Sequence, residues 1–229
     1  MNHYEIAGLR VEMTVSGRTQ KQAEAYAVLA QGRPDVVLPN DSELFLKHYP
    51  WLGDLETAEY MGTGTWFARK LLDHDGFQLH ASAVVLDGKA YLFSAPCGTG
   101  KSTHTEKWVR LFGAEYLNDD KPALRLINGE WIAYGTPWSG KHDISSPIGA
   151  PLGAVVFLKR GEENHIRRME PAEAVPLLLA QVSRVHPRAQ AERLLELSDR
   201  ILRAVPVWEL SCRNDDEAAM VSCDAITKE

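Results

Sequence analysis

Runs and alternations of apolar residues along the chain predict a mixture of strands and helices. Residues 4–15 alternate between apolar and polar side chains, which is typical of half-buried strands. Residues 154–158 are continuously apolar, as in a strand that is buried on both faces. Residues 55–73 place their apolar side chains near one face of a helix. Asp87 and Gly88, which lie between two apolar runs, predict a two-residue hairpin turn.

Further elements are predicted from the same patterns and from turn residues. Strands are predicted at 79–86, 90–94, 115–118, 123–127, 131–134 and 207–210. Helices are predicted after residue 102, from Pro171 to about Val185, at 189–204 and at 215–226. The chain is therefore predicted to have an α/β fold in which helices and strands are mixed.

The first 54 residues differ from the rest of the chain in their pattern of apolar, polar and turn residues. They combine the alternation of apolar and polar residues at 4–15 with residues typical of turns at 32–34 and 39–41. We therefore predict a small β-rich N-terminal segment over 1–54 and a main domain over 55–229.

Composition argues against several classes of partner. The 229 residues carry a formal net charge of −6, so we expect no basic surface for nucleic acid or for acidic membranes. The start of the chain is polar, and no apolar run approaches the length of a membrane span. We therefore expect a cytoplasmic protein without nucleic-acid or membrane partners, in which any anion is bound by local geometry.

The strongest chemical signal is a glycine-containing loop between a predicted strand and a predicted helix. After the 90–94 strand the residues are Ala95, Pro96, Cys97, Gly98, Thr99, Gly100, Lys101, Ser102 and Thr103. Backbone N–H groups of such a loop surround a phosphate, and the helix N-terminus adds partial positive charge. Lys101 can reach the β- and γ-phosphates, and the Ser102 hydroxyl can ligate Mg²⁺. The loop predicts binding of ATP or another nucleoside triphosphate together with Mg²⁺.

Two adjacent carboxylates are the second chemical signal. Asp119 and Asp120 follow the predicted strand 115–118, and neighbouring residues of an extended segment point in opposite directions. One carboxylate can therefore serve the metal and the other the acceptor in phosphoryl transfer. His80, near the start of the strand pair that leads to the loop, is a candidate for a hydrogen bond to phosphate or for proton transfer.

Polar residues further along the chain are candidates for substrate contacts. Trp138, Lys141 and His142 stand in one loop between two glycines, and such loops are often functional. Trp138 could stack on a substrate or base, and Lys141 could contact phosphate. Arg160 is a candidate for neutralising transition-state charge, and a plain surface arginine explains the same position equally well.

The motifs resemble those of a known family. Residues 79–85, 95–102 and 117–120 have the order and spacing found in the C-terminal domain of HPr kinase/phosphorylase, which shares its fold with phosphoenolpyruvate carboxykinase. The resemblance is close over 77–120, looser after it and absent from the N-terminal segment. The resemblance implies a P-loop kinase domain with a mixed sheet. It also implies that the protein uses ATP and Mg²⁺ and that it forms a homo-oligomer.

The resemblance also implies roles for individual residues. It implies that His80 lies near the transferred phosphate and that Lys101 and Ser102 bind phosphate and metal. By the same resemblance, Asp119 is the base that activates a serine hydroxyl, and Asp120 is a metal ligand.

The leading hypothesis is an ATP- and Mg²⁺-dependent kinase. Its acceptor is a hydroxyl, expected to be that of serine, in a peptide, a small protein or a free metabolite. Ala95 replaces the first glycine of the family motif, and Thr103 stands where glutamate often follows, so the acceptor need not be HPr itself. Two alternatives stay open: a nucleotide-binding regulator without phosphotransfer, and a simple NTP hydrolase.

Overall fold

The N-terminal segment forms a small sheet with two helices. The computed structural model describes residues 2–183 and 188–228. β1 (Asn2–Ile6) and β2 (Leu9–Met13) pair antiparallel, and β3 (Val36–Val37) pairs with β2 in parallel. α1 (Gly17–Ala23) follows β2, and α2 (Ser42–His48) follows β3. The half-buried strands predicted from the alternating pattern are confirmed.

α3 (Leu55–Leu71) joins this segment to the rest of the molecule. Asp54 caps its N-terminus by accepting a hydrogen bond from the Thr57 N–H at 2.7 Å. Tyr60 and Phe67 of its buried face share one hydrophobic cluster with side chains of β1 and β2. The predicted helix is confirmed, and its last predicted residues form a short 3₁₀ turn. The division of the chain at residue 54 stays a prediction.

A large mixed sheet forms the main body, and β10 (Gly149–Arg160) is its longest strand within the described residues. The sheet order is β4 (Gly76–Gln78), β8 (Ala123–Ile127), β9 (Glu130–Tyr134), β10, β6 (Lys89–Ser94), β5 (Ala81–Leu86) and β7 (Glu115–Asn118). β12 (Val207–Cys212) also pairs with β10, and β11 (His165–Arg168) pairs with β12. β10 runs parallel to β6 and β12 but antiparallel to β9, so the α/β fold with a mixed sheet is confirmed.

Helices cover the sheet on both faces, which explains its nearly continuous apolar strands. Along β6, Tyr91 and Phe93 belong to the hydrophobic cluster of one face, whereas Leu92 belongs to the cluster of the other. The first face carries α4 (Lys101–Phe112) and α7 (Asp216–Thr227), and the second carries α5 (Pro171–Ala180) and α6 (Arg188–Ala204). The predicted helices at these places are confirmed apart from one boundary.

That boundary is the end of α5, which lies at Ala180. The predicted end near Val185 lies outside the described residues. The helix stops earlier because the chain turns into β-type pairing: the Gln181 carbonyl accepts the His80 N–H at 2.8 Å, and Val182 bridges Leu79. For the same reason the regular pairing of β5 begins at residue 81 rather than at the predicted residue 79.

The β5–β6 hairpin has the predicted turn. Asp87 and Gly88 both have positive φ, 50° and 77°, which is the backbone of a type I′ turn. Within the described residues, no helix is both long and apolar enough to cross a membrane.

Candidate active site

The glycine-containing loop lies between β6 and α4, as the sequence predicts. Gly98 and Gly100 have φ of 78° and 114°, which side-chain-bearing residues rarely adopt. Gly100 immediately precedes the first turn of α4, whose free N–H groups therefore face the loop. Loop and helix line one side of a cleft of about 660 Å³, called here the main cleft.

Lys101 folds back inside this loop. Its Nζ donates to the Ala95 carbonyl at 2.8 Å, and the side chain is buried. Burial lowers the pKa of the Lys101 ammonium, and the charge of Asp120 opposes that shift. The positive charge of Lys101 therefore lies inside the loop, beside the Ala95 carbonyl.

Asp119 is held by two buried hydroxyl groups. The Ser82 hydroxyl donates to Asp119 Oδ1 at 2.8 Å, and Ser82 Oγ lies 2.7 Å from Thr105 Oγ1. Because a carboxylate only accepts, the Ser82 hydrogen goes to Asp119. The Thr105 hydroxyl is then left to donate to Ser82 or to the Ser102 carbonyl, 3.0 Å away. When the Thr105 hydroxyl donates to Ser82, the hydrogen bonds connect Asp119 through Ser82 with Thr105 of α4.

Asp120 lies between two nitrogen groups. His80 Nε2 is 3.2 Å from Oδ1, and Lys121 Nζ is 2.9 Å from Oδ2. Burial would raise the pKa of the Asp120 carboxyl, but the hydrogen bond from His80 and the charge of Lys121 together lower it to about 2. The other ring nitrogen of His80 is 3.0 Å from Gln181 Oε1. Asp120 is therefore an anion across the neutral pH range, and the His80 ring is fixed on both sides.

The main cleft collects most of the residues that the sequence singles out. Asp119, Asp120 and His80 face the same space as the glycine-containing loop over 95–100, which is called the phosphate loop below for its predicted role. The other predicted residues that line it are Cys97, Gly98, Gly100, Lys101, Ser102, Thr103, Lys141 and His142. Ala95, Pro96 and Thr99 belong to the loop but do not line this cleft.

Trp138 lies elsewhere, inside the hydrophobic core. Its side chain is 2% exposed and stacks on Phe67 with ring centroids 4.9 Å apart. Its indole N–H donates to the Thr63 hydroxyl at 3.2 Å. Phe67 and Thr63 thus fix the indole, and Trp138 does not line the main cleft.

Arg160 lies on the other side of the phosphate loop. Its guanidinium donates to the Gly98 carbonyl at 2.7 Å. It lines a second cleft of about 390 Å³, which shares Gly98 and Gly100 with the main cleft and also includes Arg213. Arg160 therefore supports the loop and borders a space continuous with it.

The loop that carries Lys141 and His142 is fastened by the N-terminal segment. Arg18 of α1 donates to the Gly140 carbonyl and lies 2.9 Å from Asp143 Oδ1. The Tyr60 hydroxyl accepts the Gly140 N–H at 3.0 Å. At Gly140, where φ is 74°, a Cβ would lie 2.8 Å from the Cβ of Asp120. Glycine is therefore needed for this loop to approach Asp120.

Several site residues were not anticipated from the sequence. They reach the site through contacts that no local sequence motif indicates, and they are Ser82, Thr105, Gln181, Lys121, Arg18 and Tyr60. The only available signal was position, because Ser82 belongs to the predicted strand beside His80 and Lys121 follows the two aspartates.

The oxygen donors of the main cleft fit Mg²⁺ bound with a triphosphate. Ser102, Asp119 and Asp120 offer a hydroxyl and two carboxylates to the same space, and Mg²⁺ takes one or two carboxylates plus substrate phosphates. Among the residues described, no cluster of three or more His, Cys, Asp or Glu side chains forms a metal cage. These side chains would therefore bind the ion together with phosphate oxygens.

Comparison with known proteins adds a distant structural likeness. The chain is similar to a structure described as the HPr(Ser) kinase/phosphatase from Coxiella burnetii, with a TM-score of 0.39 and 12% sequence identity. The match covers 66% of this chain and 97% of that one. No family model and no curated protein matches the sequence. A likeness of this size carries no argument about activity, which has to be argued from the site.

Proposed function

We propose that this protein is an ATP- and Mg²⁺-dependent kinase that transfers the γ-phosphoryl group to an aliphatic hydroxyl. One observation carries the proposal: the phosphate loop, the buried Lys101 and the Asp119–Asp120 pair all line the same cleft. Phosphoryl transfer requires such a combination of phosphate binding, metal binding and a carboxylate for the acceptor.

Each residue has a role that follows from its position. The loop N–H groups, Lys101 and the N-terminus of α4 would bind the phosphates. Ser102 and Asp120 would hold Mg²⁺, which would neutralise charge on the phosphate oxygens. Asp119, oriented by Ser82, would accept the acceptor's proton through its second oxygen.

The proposed transfer is a single displacement at phosphorus. The hydroxyl oxygen of the acceptor forms a bond to the γ-phosphorus while the bond from that phosphorus to the β,γ-bridging oxygen breaks. The hydroxyl proton passes to Asp119, and ADP leaves with the bridging electron pair. His80 and Lys101 would stabilise the charge that develops on the transferred group.

The nucleoside has a place on the other side of the loop. The second cleft shares Gly98 and Gly100 with the main cleft, so a triphosphate that lies along the loop would direct its nucleoside there. Arg160 and Arg213 line that cleft and would meet the ribose or base. This arrangement supports a nucleoside triphosphate over inorganic pyrophosphate as the phosphoryl donor.

The proposal is tested by incubating the protein with γ-labelled ATP, Mg²⁺ and a panel of serine-containing acceptors. We expect label in an acceptor, and a loss of about a hundredfold or more in turnover for Lys101→Ala. Label released only as inorganic phosphate would identify a hydrolase instead. Nucleotide binding without any turnover would indicate a regulator.

A further inference from the structure

A separate small pocket also reaches Asp120. Its volume is about 120 Å³, and Asp120 is the one residue among those described that lines both this pocket and the main cleft. We call it the α3 pocket, and its other lining residues include Tyr60, Met61 and Gly64 of α3 with Gln78, Lys121 and Trp138. A molecule bound there would touch the same carboxylate that faces the phosphate loop.

The pocket is shaped by packed groups. Trp138 is fixed by its stacking on Phe67 and by its hydrogen bond to Thr63. At Gly64 a Cβ would lie 2.8 Å from the Trp138 ring, so the indole can take this position only against glycine. The wall is therefore preorganised, as expected for a binding site rather than for a gap between mobile side chains.

Hydrogen-bond donors converge on the pocket together with one carboxylate. Lys121 has three N–H groups, one of which is directed to Asp120. The Tyr60 hydroxyl accepts the Gly140 N–H and keeps its own hydrogen to donate. Gln78 is 5% exposed, and the one hydrogen bond of its side-chain amide within the described part of the chain is long, 3.5 Å to the Lys121 carbonyl. The pocket thus suits a small ligand that carries both acceptor oxygens and a hydroxyl.

We propose that the α3 pocket binds the phosphoryl acceptor and that this acceptor is a small hydroxy acid. The proposal rests on the proposed kinase function. The carboxylate of the acid would accept hydrogen bonds from Lys121 and Gln78, and its hydroxyl would pass Asp120 into the main cleft. There it undergoes the displacement already described, with its proton going to Asp119.

The volume limits the size of the acceptor. A dry cavity of about 150 Å³ admits benzene, which has six heavy atoms. The α3 pocket is somewhat smaller, at about 120 Å³, so an acid with three or four carbons fits and a phenol with a side chain does not. The pocket volume therefore favours a small acid over tyrosine as the acceptor.

Two pairs of variants test the proposal with L-serine and D-glycerate as probes. Met61→Trp fills the mouth of the pocket, and Met220→Trp is its control, because the two methionines are 44% and 51% exposed and Met220 lies on α7. Gln78→Leu removes the buried amide, and Gln20→Leu makes the same change at an exposed residue of α1. Ligand-observed NMR measures binding of each probe, and γ-labelled ATP measures transfer.

We expect at least one probe to bind and to be phosphorylated. Met61→Trp should raise its KM about tenfold or more by filling the pocket, and Gln78→Leu should do the same by removing a hydrogen-bond donor. The controls and the KM for ATP should change less than about twofold. Unchanged MgATP affinity in each variant shows that it has folded.

Three results would overturn the proposal: neither probe binds, transfer occurs only to N-acetyl-L-serine amide or a seryl peptide, or the pocket variants behave like their controls. A different result would separate the pocket from the kinase. If a probe binds in a Gln78-dependent way but the wild type binds no MgATP, the hydroxy-acid site stands and the kinase function fails.

Discussion

Ser82 and Thr105 connect Asp119 to the helix that follows the phosphate loop, and they do so with hydroxyl groups alone. Both side chains are fully buried, so neither can exchange its hydrogen bond for one to water without cost. The residues are 23 positions apart in sequence, and Asp119 is 37 positions from Ser82. No local pattern marks them, because the contact exists only once β5 and α4 pack together.

Ser82→Ala should impair turnover more than nucleotide binding. The alanine methyl group cannot donate a hydrogen bond, so the Asp119 carboxylate loses its orientation. The phosphate loop stays intact. We expect kcat to fall on the order of tenfold, with KM for ATP within about twofold, measured by steady-state kinetics of transfer.

Ser198→Ala is the matched control, since Ser198 is also buried and donates only to a carbonyl of its own helix. Ser82→Thr should restore part of the activity because it keeps a hydroxyl. Equal kcat in Ser82→Ala and Ser198→Ala would contradict the positioning role of Ser82.

His104 makes stability depend on pH. Its ring contacts Phe93 and lies 3.0 Å from the Ser222 hydroxyl, and burial lowers its pKa to about 3, with a smaller effect from Lys107. Between about pH 6.5 and 3 the unfolded chain binds a proton here that the folded chain does not, so the free energy of unfolding falls as pH falls. The slope is at most about 1.4 kcal/mol per pH unit.

Urea unfolding of the wild type and of His104→Gln isolates this effect. The stability advantage of the wild type should shrink by about 2 kcal/mol from pH 7 to pH 5, because glutamine does not titrate. A difference that stays constant over this range would show that His104 does not determine the pH dependence.

At the scale of elements, the N-terminal segment fastens a loop of the main cleft. Arg18 of α1 contacts Gly140 and Asp143, and Tyr60 of α3 holds the Gly140 N–H. The loop can lie against Asp120 only because residue 140 has no side chain. Segment and loop therefore act together in placing Asp120.

Gly140→Ala should disturb Asp120 beyond the cost of its backbone strain. Gly113→Ala is the control, because φ is positive at both glycines (74° and 69°) but nothing lies within 4 Å of a Cβ at residue 113. We expect each variant to lose about 1–2 kcal/mol of stability, and only Gly140→Ala to need a several-fold higher Mg²⁺ concentration for half-maximal turnover. The same Mg²⁺ dependence in both variants would contradict the contact between this loop and Asp120.

Sequence patterns were most informative where an element is local. The hairpin at Asp87 and Gly88, the strand–loop–helix around Lys101 and the strand before Asp119 depend on neighbouring residues, and all are found as predicted. The polar strand β11 was missed because its four residues have no apolar alternation. The substrate contact of Trp138 stays a prediction. Its packing in the core could not be predicted because it depends on α3, far away in sequence.

At the scale of the whole molecule, a chain with a net charge of −6 assembles a cleft suited to a polyanion. It does so by geometry: loop N–H groups, the start of α4 and the buried Lys101 are gathered at the carboxyl end of β6, an interior strand of the sheet. Long-range attraction of nucleotide would be weak with this charge. Binding should therefore depend strongly on Mg²⁺, which lowers the charge of the triphosphate.

The most direct test of this account is isothermal titration of ATP into the wild type, Lys101→Ala and the exposed-lysine control Lys70→Ala, each with and without Mg²⁺. The account predicts one nucleotide per chain for the wild type and Lys70→Ala, and affinity about tenfold or more lower without Mg²⁺ or without Lys101. A wild type that binds no ATP in the presence of Mg²⁺, or that binds it equally well without Lys101, would contradict it.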